Sequence, residues 1–415
     1  MITLEKKNYG GIIKAPSSKS DGHRALICAA LAREGTSIIS NVYFSNDIIA
    51  TMKSLESLGA SFEIKKDTII VHGIKNKVIN PVLDCSESGS TLRFLIPLAT
   101  EMSVNPSFKT SGRLSKRPLD VYEDIYSKQN ISFYRKDTTF YVKGNLKPGL
   151  FEVDGSISSQ FISGLLFTLP LLKGDSIIKI NNKISSLSYI YMTFALLEKF
   201  GIKYSFSLEQ QTITIPGNQE FKATNYVVEN DFSQAAFLLS LGALTTIVTV
   251  KGNNLNSYQP DKNIINILKD MGVSIQIEGD SITTSKSKIK GCTISLDENP
   301  DLGPILMGLA TFADSDVKFV GIKRLRIKES DRVEAMRDNL NKLGINMEIL
   351  DEDTCIVHPG PLKEPNEILN PYHDHRIFIT LAIITYNLNV KIDDEECIKK
   401  SYPTFLEDLK SLELE

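Results

Sequence analysis

The stretch LESLGASFEIKKDTIIVHG, residues 55–73, decides the fold. It reads as a helix end, a turn at Gly59, an alternating strand, a polar turn and a second alternating strand. Glycine suits the residue just past a helix, where positive φ is needed. The same grammar recurs in DIYSKQNISFYRKDTTFYVKG (124–144), LLEKFGIKYSFSLEQQTITIPG (196–217), ILKDMGVSIQIEGDSITTSKS (267–287) and LNKLGINMEILDEDTCIVHPG (340–360). The turn residues Gly59, Asn130, Gly201, Gly272 and Gly344 are spaced 71, 71, 71 and 72 residues apart. A fixed period of this kind is the signature of a repeat architecture.

A second element keeps the same period. Six apolar runs follow polar openings: residues 17–32, 86–100, 156–172, 229–244, 299–312 and 373–388. They are apolar nearly all round, which predicts buried helices, whereas the alternating hairpins keep one wet face. The chain therefore reads as α/β, with six units of about 70 residues, helices inside and sheets outside. The last helix, PTFLEDLKSLELE, has no hairpin after it, and the first residues, ITLEKKNYGGIIKAP, read as a hairpin with no helix before it. We expect the two ends to complete one unit. Residues 1–17 with 229–415 then form lobe one, closed by the N-terminal hairpin, and residues 18–228 form lobe two. The binding site is expected in the cleft between them.

Composition narrows the function. The 415 residues are 42% hydrophobic and 23% charged, with a net charge of −3. This is an ordinary globular balance and gives no support to nucleic-acid binding. The five cysteines are scattered, with no CxxC pair, so neither a disulfide framework nor a metal ribbon is expected. His373, Asp374 and His375 make a poor metal signature. The opening MITLEKKNYGG does not resemble a signal peptide, and no apolar run is long enough to span a bilayer. A cytoplasmic location is the expectation.

The polar openings carry the chemistry. Ser, Asp and Asn before a helix are ordinary caps. Lys19, Arg24, Arg93 and Arg376 also stand at these openings, where the helix dipole disfavours a cation. A bound anion reconciles cation and dipole. Arg113, Lys116 and Arg117 add charge in one loop, the run Lys323–Arg332 in another, and Lys399 and Lys400 in a third. The ligand implied is small and multiply anionic, and Arg suits bidentate recognition of phosphate and carboxylate. Asp301, in NPDLGP at a helix start, and Glu329, between Lys328 and Arg332, are the acid–base candidates.

With those residues in view, the chain resembles the 5-enolpyruvylshikimate-3-phosphate synthases along its whole length. The matching motifs occur in order: SKSDGHRA, SGSTLR, GRLSKRP, DGSISSQ, SSLSY, PDLGP, KESDR, HDHR and KKSYP. The resemblance implies two lobes of three βαβαββ units each, an inside-out arrangement. It implies transfer of the enolpyruvyl group of phosphoenolpyruvate to the 5-hydroxyl of shikimate 3-phosphate in aromatic amino acid biosynthesis, by addition and elimination. It implies no metal or organic cofactor, a monomer, and glyphosate as an inhibitor. By matched motif, Lys19, Ser20, Arg24, Ser158, Ser159, Gln160, Ser186, Tyr189, Asp301 and Lys328 would hold shikimate 3-phosphate. Lys19, Gly89, Arg117, Gln160, Arg332, Arg376 and Lys400 would hold phosphoenolpyruvate. Asp301, Glu329 and Lys19 would be catalytic, with Asp301 as base on the hydroxyl, Glu329 as proton shuttle at the methylene carbon and His375 in support. The chain departs from the family pattern at Glu87, Ser90, Phe94 and Arg324.

Three other readings are open. An enolpyruvyl transferase acting on UDP-N-acetylglucosamine would carry a KSGxNAAL opening and a loop cysteine, and residues 111–118 have none. A non-catalytic anion-binding protein of the same fold would have lost Lys19, Asp301, Glu329 or Lys400. An RNA-terminal-phosphate cyclase-like enzyme would call for a histidine in a more basic setting.

Overall fold

The computed structural model describes residues Met1–Leu414. The chain divides into two compact units, Ser17–Val228 and the discontinuous Met1–Pro16 with Glu229–Glu415.

The Ser17–Val228 unit holds three four-stranded sheets of one design. In the first, Val82–Ser86 runs parallel to Ser107–Thr110, which pairs antiparallel with Thr139–Lys143 and, through it, with Ser132–Lys136. The helix Gly89–Met102 makes the crossover between the two parallel strands. In the second, Leu150–Asp154 is parallel to Ser176–Asn181 around the helix Ser159–Thr168. In the third, Thr36–Ser40 takes its parallel partner from the far end of the unit, Asn225–Val227. The hairpins follow the alternation read above: Thr139–Lys143 buries Phe140 and Val142 and leaves Tyr134 and Tyr141 stacked on the wet face.

The crossover helices fill the interior. Phe94, Leu95, Phe161, Leu165 and Leu166 are fully buried. Gly164 permits the contact between the helices Gly89–Met102 and Ser159–Thr168: a Cβ there would lie 2.3 Å from the Tyr122 hydroxyl and 2.5 Å from the Arg93 carbonyl. The run Phe161–Leu172 is broken into a helix and a 3₁₀ turn, Leu169–Leu171, because Pro170 has no amide to continue the ladder.

The discontinuous unit repeats the plan. Gly11–Lys14 runs parallel to Ile247–Lys251, and Thr293–Ser295 parallel to Val317–Val320, each pair extended by an antiparallel hairpin. Its inner helices are Phe232–Leu244, Gly303–Ala310 and His375–Ile384. Gly308 brings the last two together, since a Cβ there would meet Thr380 at 2.7 Å and Ile384 at 2.8 Å.

The N-terminal hairpin does not form. Residues 2–14 split into three short strands with three separate partners. Ile2–Leu4 pairs with Val390–Ile392, Asn8–Tyr9 with Glu413–Leu414, and Gly11–Lys14 with Ile247–Lys251. The chain turns at Gly10 and Gly11, the latter at φ +125°, and Gly10 lies so close to Thr246 that any side chain would collide with its hydroxyl. All five turn residues that set the period have positive φ, between +57° at Asn130 and +101° at Gly59. Among the described residues no helix is long and apolar enough to cross a membrane.

Five of the six inner helices follow a strand of a parallel pair, and His375–Ile384 follows an isolated parallel bridge between Leu369 and Ile392, so the openings occupy one equivalent place in each repeat. Outside the carboxyl ends of parallel strands is where open α/β sheets bind ligands.

Candidate active site

In the Ser17–Val228 unit, Ser18 caps the helix Lys19–Leu31 by accepting from the Asp21 amide. Lys19 Nζ lies 2.8 Å from Asp47 Oδ2. Arg24 is buried. It donates to Thr193 Oγ1 (2.8 Å) and to the carbonyls of Ser20 (2.7 Å) and Tyr189 (3.2 Å). Its guanidinium lies 5.0 Å from the Phe94 ring centre and 5.7 Å from that of Tyr189. Burial pulls its pKa down to about 10, which leaves it cationic at neutral pH.

Two further openings converge on a pair of arginines. Gly89 begins its helix, and a Cβ there would stand 3.0 Å from Arg117 Nη1 and 3.2 Å from Arg93 Nη1. Ser88 caps the same helix by accepting from the Thr91 amide. Gln160 is set by both neighbours: its Oε1 accepts from Arg93 Nη1 at 2.9 Å and its Nε2 donates to Ser90 Oγ at 3.0 Å. Ser158 caps the helix Ser159–Thr168, while Ser159 is buried at its first turn. Ser186 is buried with φ +57°, a left-handed conformation that costs a non-glycine residue energy and is concentrated at functional sites.

In the discontinuous unit, Asp301 lies in the 3₁₀ turn Pro300–Leu302 that leads into the helix Gly303–Ala310. It does not act as that helix's cap. Its Oδ1 meets Arg332 Nη1 at 2.8 Å and Lys328 Nζ at 3.3 Å, and its Oδ2 meets Arg376 Nη2 at 3.3 Å. Arg332, almost fully buried, also holds Glu329 Oε2 at 2.9 Å and Asp374 Oδ2 at 2.8 Å. Asp374 caps the helix His375–Ile384 by accepting from the Arg376 amide and also accepts from Ser330 Oγ. His375 is buried beside it. Lys400 is buried at the end of the 3₁₀ turn Glu395–Lys400, and the next residue, Ser401, accepts from Gln234 in the opening of the helix Phe232–Leu244.

The electrostatics follow from this packing. Burial pushes the Asp301 carboxyl up, but Arg376, Lys328 and Arg332 together outweigh it and hold it well below the usual carboxylate range. Burial pushes Lys328 down to about 8, against the pull of Asp301. Burial also opposes the charge on Arg332, yet Asp374, Glu329 and Asp301 hold its proton more tightly than usual. The result is three cations interleaved with three carboxylates, able to handle negative charge and protons in one place.

The residues singled out from the sequence thus fall into two groups, one per unit. Lys19, Ser20, Arg24, Gly89, Arg117, Ser158, Ser159, Gln160, Ser186 and Tyr189 belong to Ser17–Val228, and Asp301, Lys328, Glu329, Arg332, His375, Arg376 and Lys400 to the other. Asp47 and the positioning part played by Arg93 were not singled out, and Asp374 was weighed only as part of a poor metal signature. Asp47 had a signal, since it stands in the opening of the helix Asn46–Ser57. Asp374 caps its helix and is also the buried counterion of Arg332.

Comparison with known proteins gives the family. A family profile described as EPSP synthase (3-phosphoshikimate 1-carboxyvinyltransferase) matches residues 5–409. A 3-phosphoshikimate 1-carboxyvinyltransferase of Clostridium perfringens is 42% identical over 418 residues, covering 99% of this chain and 98% of that protein. One from Clostridium acetobutylicum is 44% identical over 411 residues, covering 97% and 95%. Among solved structures, EPSP synthase from Acinetobacter baumannii superposes with a TM-score of 0.80 at 24% identity, covering 100% of this chain and 98% of that one. The enolpyruvyl transferase NikO from Streptomyces tendae reaches 0.79 at 14% identity, covering 99% and 96%. These two likenesses fix the fold as the two-lobed inside-out α/β architecture. Profile and full-length relatives together show that the chain belongs to the EPSP synthase family.

Proposed function

We propose that this protein transfers the enolpyruvyl group of phosphoenolpyruvate to the 5-hydroxyl of shikimate 3-phosphate and releases phosphate. The observation that carries the reading is the Asp301 carboxylate shared by Lys328, Arg332 and Arg376, with Glu329 on the same guanidinium. The chemistry needs one group to take the hydroxyl proton and another to protonate the methylene carbon and later remove a methyl proton. It also needs cations for the phosphates and carboxylates of both substrates.

Asp301 takes the hydroxyl proton. Held by three cations it is a weak base. Substrate anions that engage Arg376, Arg332 and Lys328 draw those cations off the carboxylate and raise its basicity when the hydroxyl arrives. Glu329 delivers the proton to the methylene carbon, kept in reach by Arg332. Lys19, Arg117, Arg332, Arg376 and Lys400 bind phosphoenolpyruvate, with Gly89 leaving room beside Arg117 and Gln160 as a shared contact. Lys19, Ser20, Arg24, Ser158, Ser159, Gln160, Ser186, Tyr189 and Lys328 bind shikimate 3-phosphate. We further propose a cytoplasmic monomer without nucleic-acid partners, needing no metal, and inhibited by glyphosate.

The test is phosphate release from phosphoenolpyruvate with shikimate 3-phosphate as acceptor, in EDTA, with UDP-N-acetylglucosamine in parallel. Release with shikimate 3-phosphate alone is expected. Release with the sugar nucleotide alone, or with neither, refutes the assignment.

A further inference from the structure

One buried carboxyl near the Asp301 cluster has no part in the mechanism above. Asp261 lies in the 3₁₀ turn Pro260–Asn263 and is 2% exposed. Its hydrogen bonds come from neutral groups. Ser233 Oγ donates to its Oδ2 and Asn299 Nδ2 to its Oδ1 at 3.5 Å. Burying a carboxyl on neutral partners is costly, so its retention at this spot calls for a reason.

Both partners lead to the site. Ser233 belongs to the opening of the helix Phe232–Leu244, just past the Asp231 cap. Asn299 is buried, is held on its other side by Asn263 Nδ2 at 3.2 Å, and accepts from the Leu302 amide to close the turn that presents Asp301. The charged groups that face Asp261 are Asp231 from that helix opening, Asp301 from the turn and Arg376 from the helix His375–Ile384. Lys262, on its own turn, gives its ammonium to the carbonyls of Leu255 and Ser257.

We propose that Asp261 is a positioning residue for Asp301: it fixes the Asp301 turn through Asn299, anchors that turn to the Ser233 helix opening, and offsets the Arg376 charge that Asp301 feels. The inference rests on the reaction proposed above. An ionised Asp261 repels a second negative charge on Asp301 and so makes it a stronger base. Burial and Asp301 push the Asp261 carboxyl up to about 6, against Arg376 and Ser233, so this support is present above pH 6 and lost below it.

Asp261→Asn separates this role from a merely structural one. The folded pKa is raised, so ionised Asp261 destabilises the fold fully above about pH 6 and not at all below its unfolded value. The variant should therefore melt at the same temperature as the wild type, or higher, at pH 8, with the difference vanishing by pH 4. Its kcat should fall about three- to tenfold, and the acid inflection near pH 6 in kcat/KM should disappear. Ser233→Ala, which keeps the charge and loosens the anchor, should lower kcat and keep the inflection. An Asp261→Asn protein that melts lower at pH 8 with an unchanged pH profile would overturn the proposal. Wild-type protein that releases no phosphate would refute the reaction, and the melting series would still decide whether Asp261 is a buried charge held against stability.

Discussion

Replacing Asp374 by Asn tests the architecture of the cluster with little change of shape. The carboxylate is fully buried and faces Arg332, itself 1% exposed, through Nε at 2.8 Å and Nη2 at 3.4 Å. Removing one partner of a buried pair costs about 3–5 kcal/mol when the other charge is stranded. Arg332 is not stranded, because Glu329 and Asp301 remain within 2.9 Å, so we expect about 2–3 kcal/mol. Asn still caps a helix, and the cap on the Arg376 amide is retained. In a unit of about 200 residues this lowers Tm by about 5–10 °C, at about 2–4 °C per kcal/mol. Asp374→Ala removes the cap as well and should cost about 1 kcal/mol more. Burial raises the Asp374 carboxyl, but Arg332 pulls it below its ordinary value of 3.8. Its stabilisation is therefore present above that value and is lost only as pH falls through the lower folded one. The gap between wild type and variant should hold constant from pH 8 to pH 5. Calorimetry at both pH values is the assay. An Asp374→Asn protein within about 0.5 kcal/mol of wild type would refute the claim that Asp374 is the counterion of Arg332.

Glu329→Gln keeps a hydrogen-bond acceptor for Arg332 and should bind shikimate 3-phosphate within about threefold of wild type by calorimetry, while kcat falls about 10²–10⁴-fold; near-normal turnover would remove Glu329 from the mechanism. Because burial lowers Lys328 to about 8, kcat/KM for shikimate 3-phosphate should decline above pH 8, and Lys328→Arg, which stays charged, should move that limb upward. Gly89→Ala would place a methyl 3.0 Å from Arg117 Nη1. It meets the flexible end of a side chain, so the fold should survive, while KM for phosphoenolpyruvate rises on the order of tenfold with kcat little changed.

What could be read in the sequence was whatever local rules dictate. A helix end that needs positive φ selects Gly or Asn, and a half-buried hairpin has to alternate, so the 71-residue period was legible residue by residue. Cations at helix openings were legible because they break a local rule, the helix dipole. Partners chosen at long range were not. Nothing near residue 10 announces that Gly11–Lys14 pairs beside Ile247–Lys251 rather than folding back on Ile2–Leu4. The burial of Asp374 against Arg332 and of Asp261 behind Asn299 depends on helices brought together only by the fold. Asp301 was read as a candidate base from its motif, and its three-cation setting came from two other segments of the chain.

The division of residues 2–14 among three distant partners also imposes an order on synthesis. Ser17–Val228 is continuous and has all its strands in hand once residue 228 leaves the ribosome. The strands before it must wait. Gly11–Lys14 has no partner until Ile247–Lys251 is made, and Ile2–Leu4 none until Val390–Ile392. At 5–20 residues per second the latter delay is roughly 20–75 seconds. Until Ile247–Lys251 is made, roughly 12–47 seconds at the same rate, the nascent chain carries GGIIK exposed, and its Ile12 and Ile13 are a ready strand for any open sheet edge. Chaperone dependence of this protein should therefore concentrate on its first residues, although its last ones complete the fold.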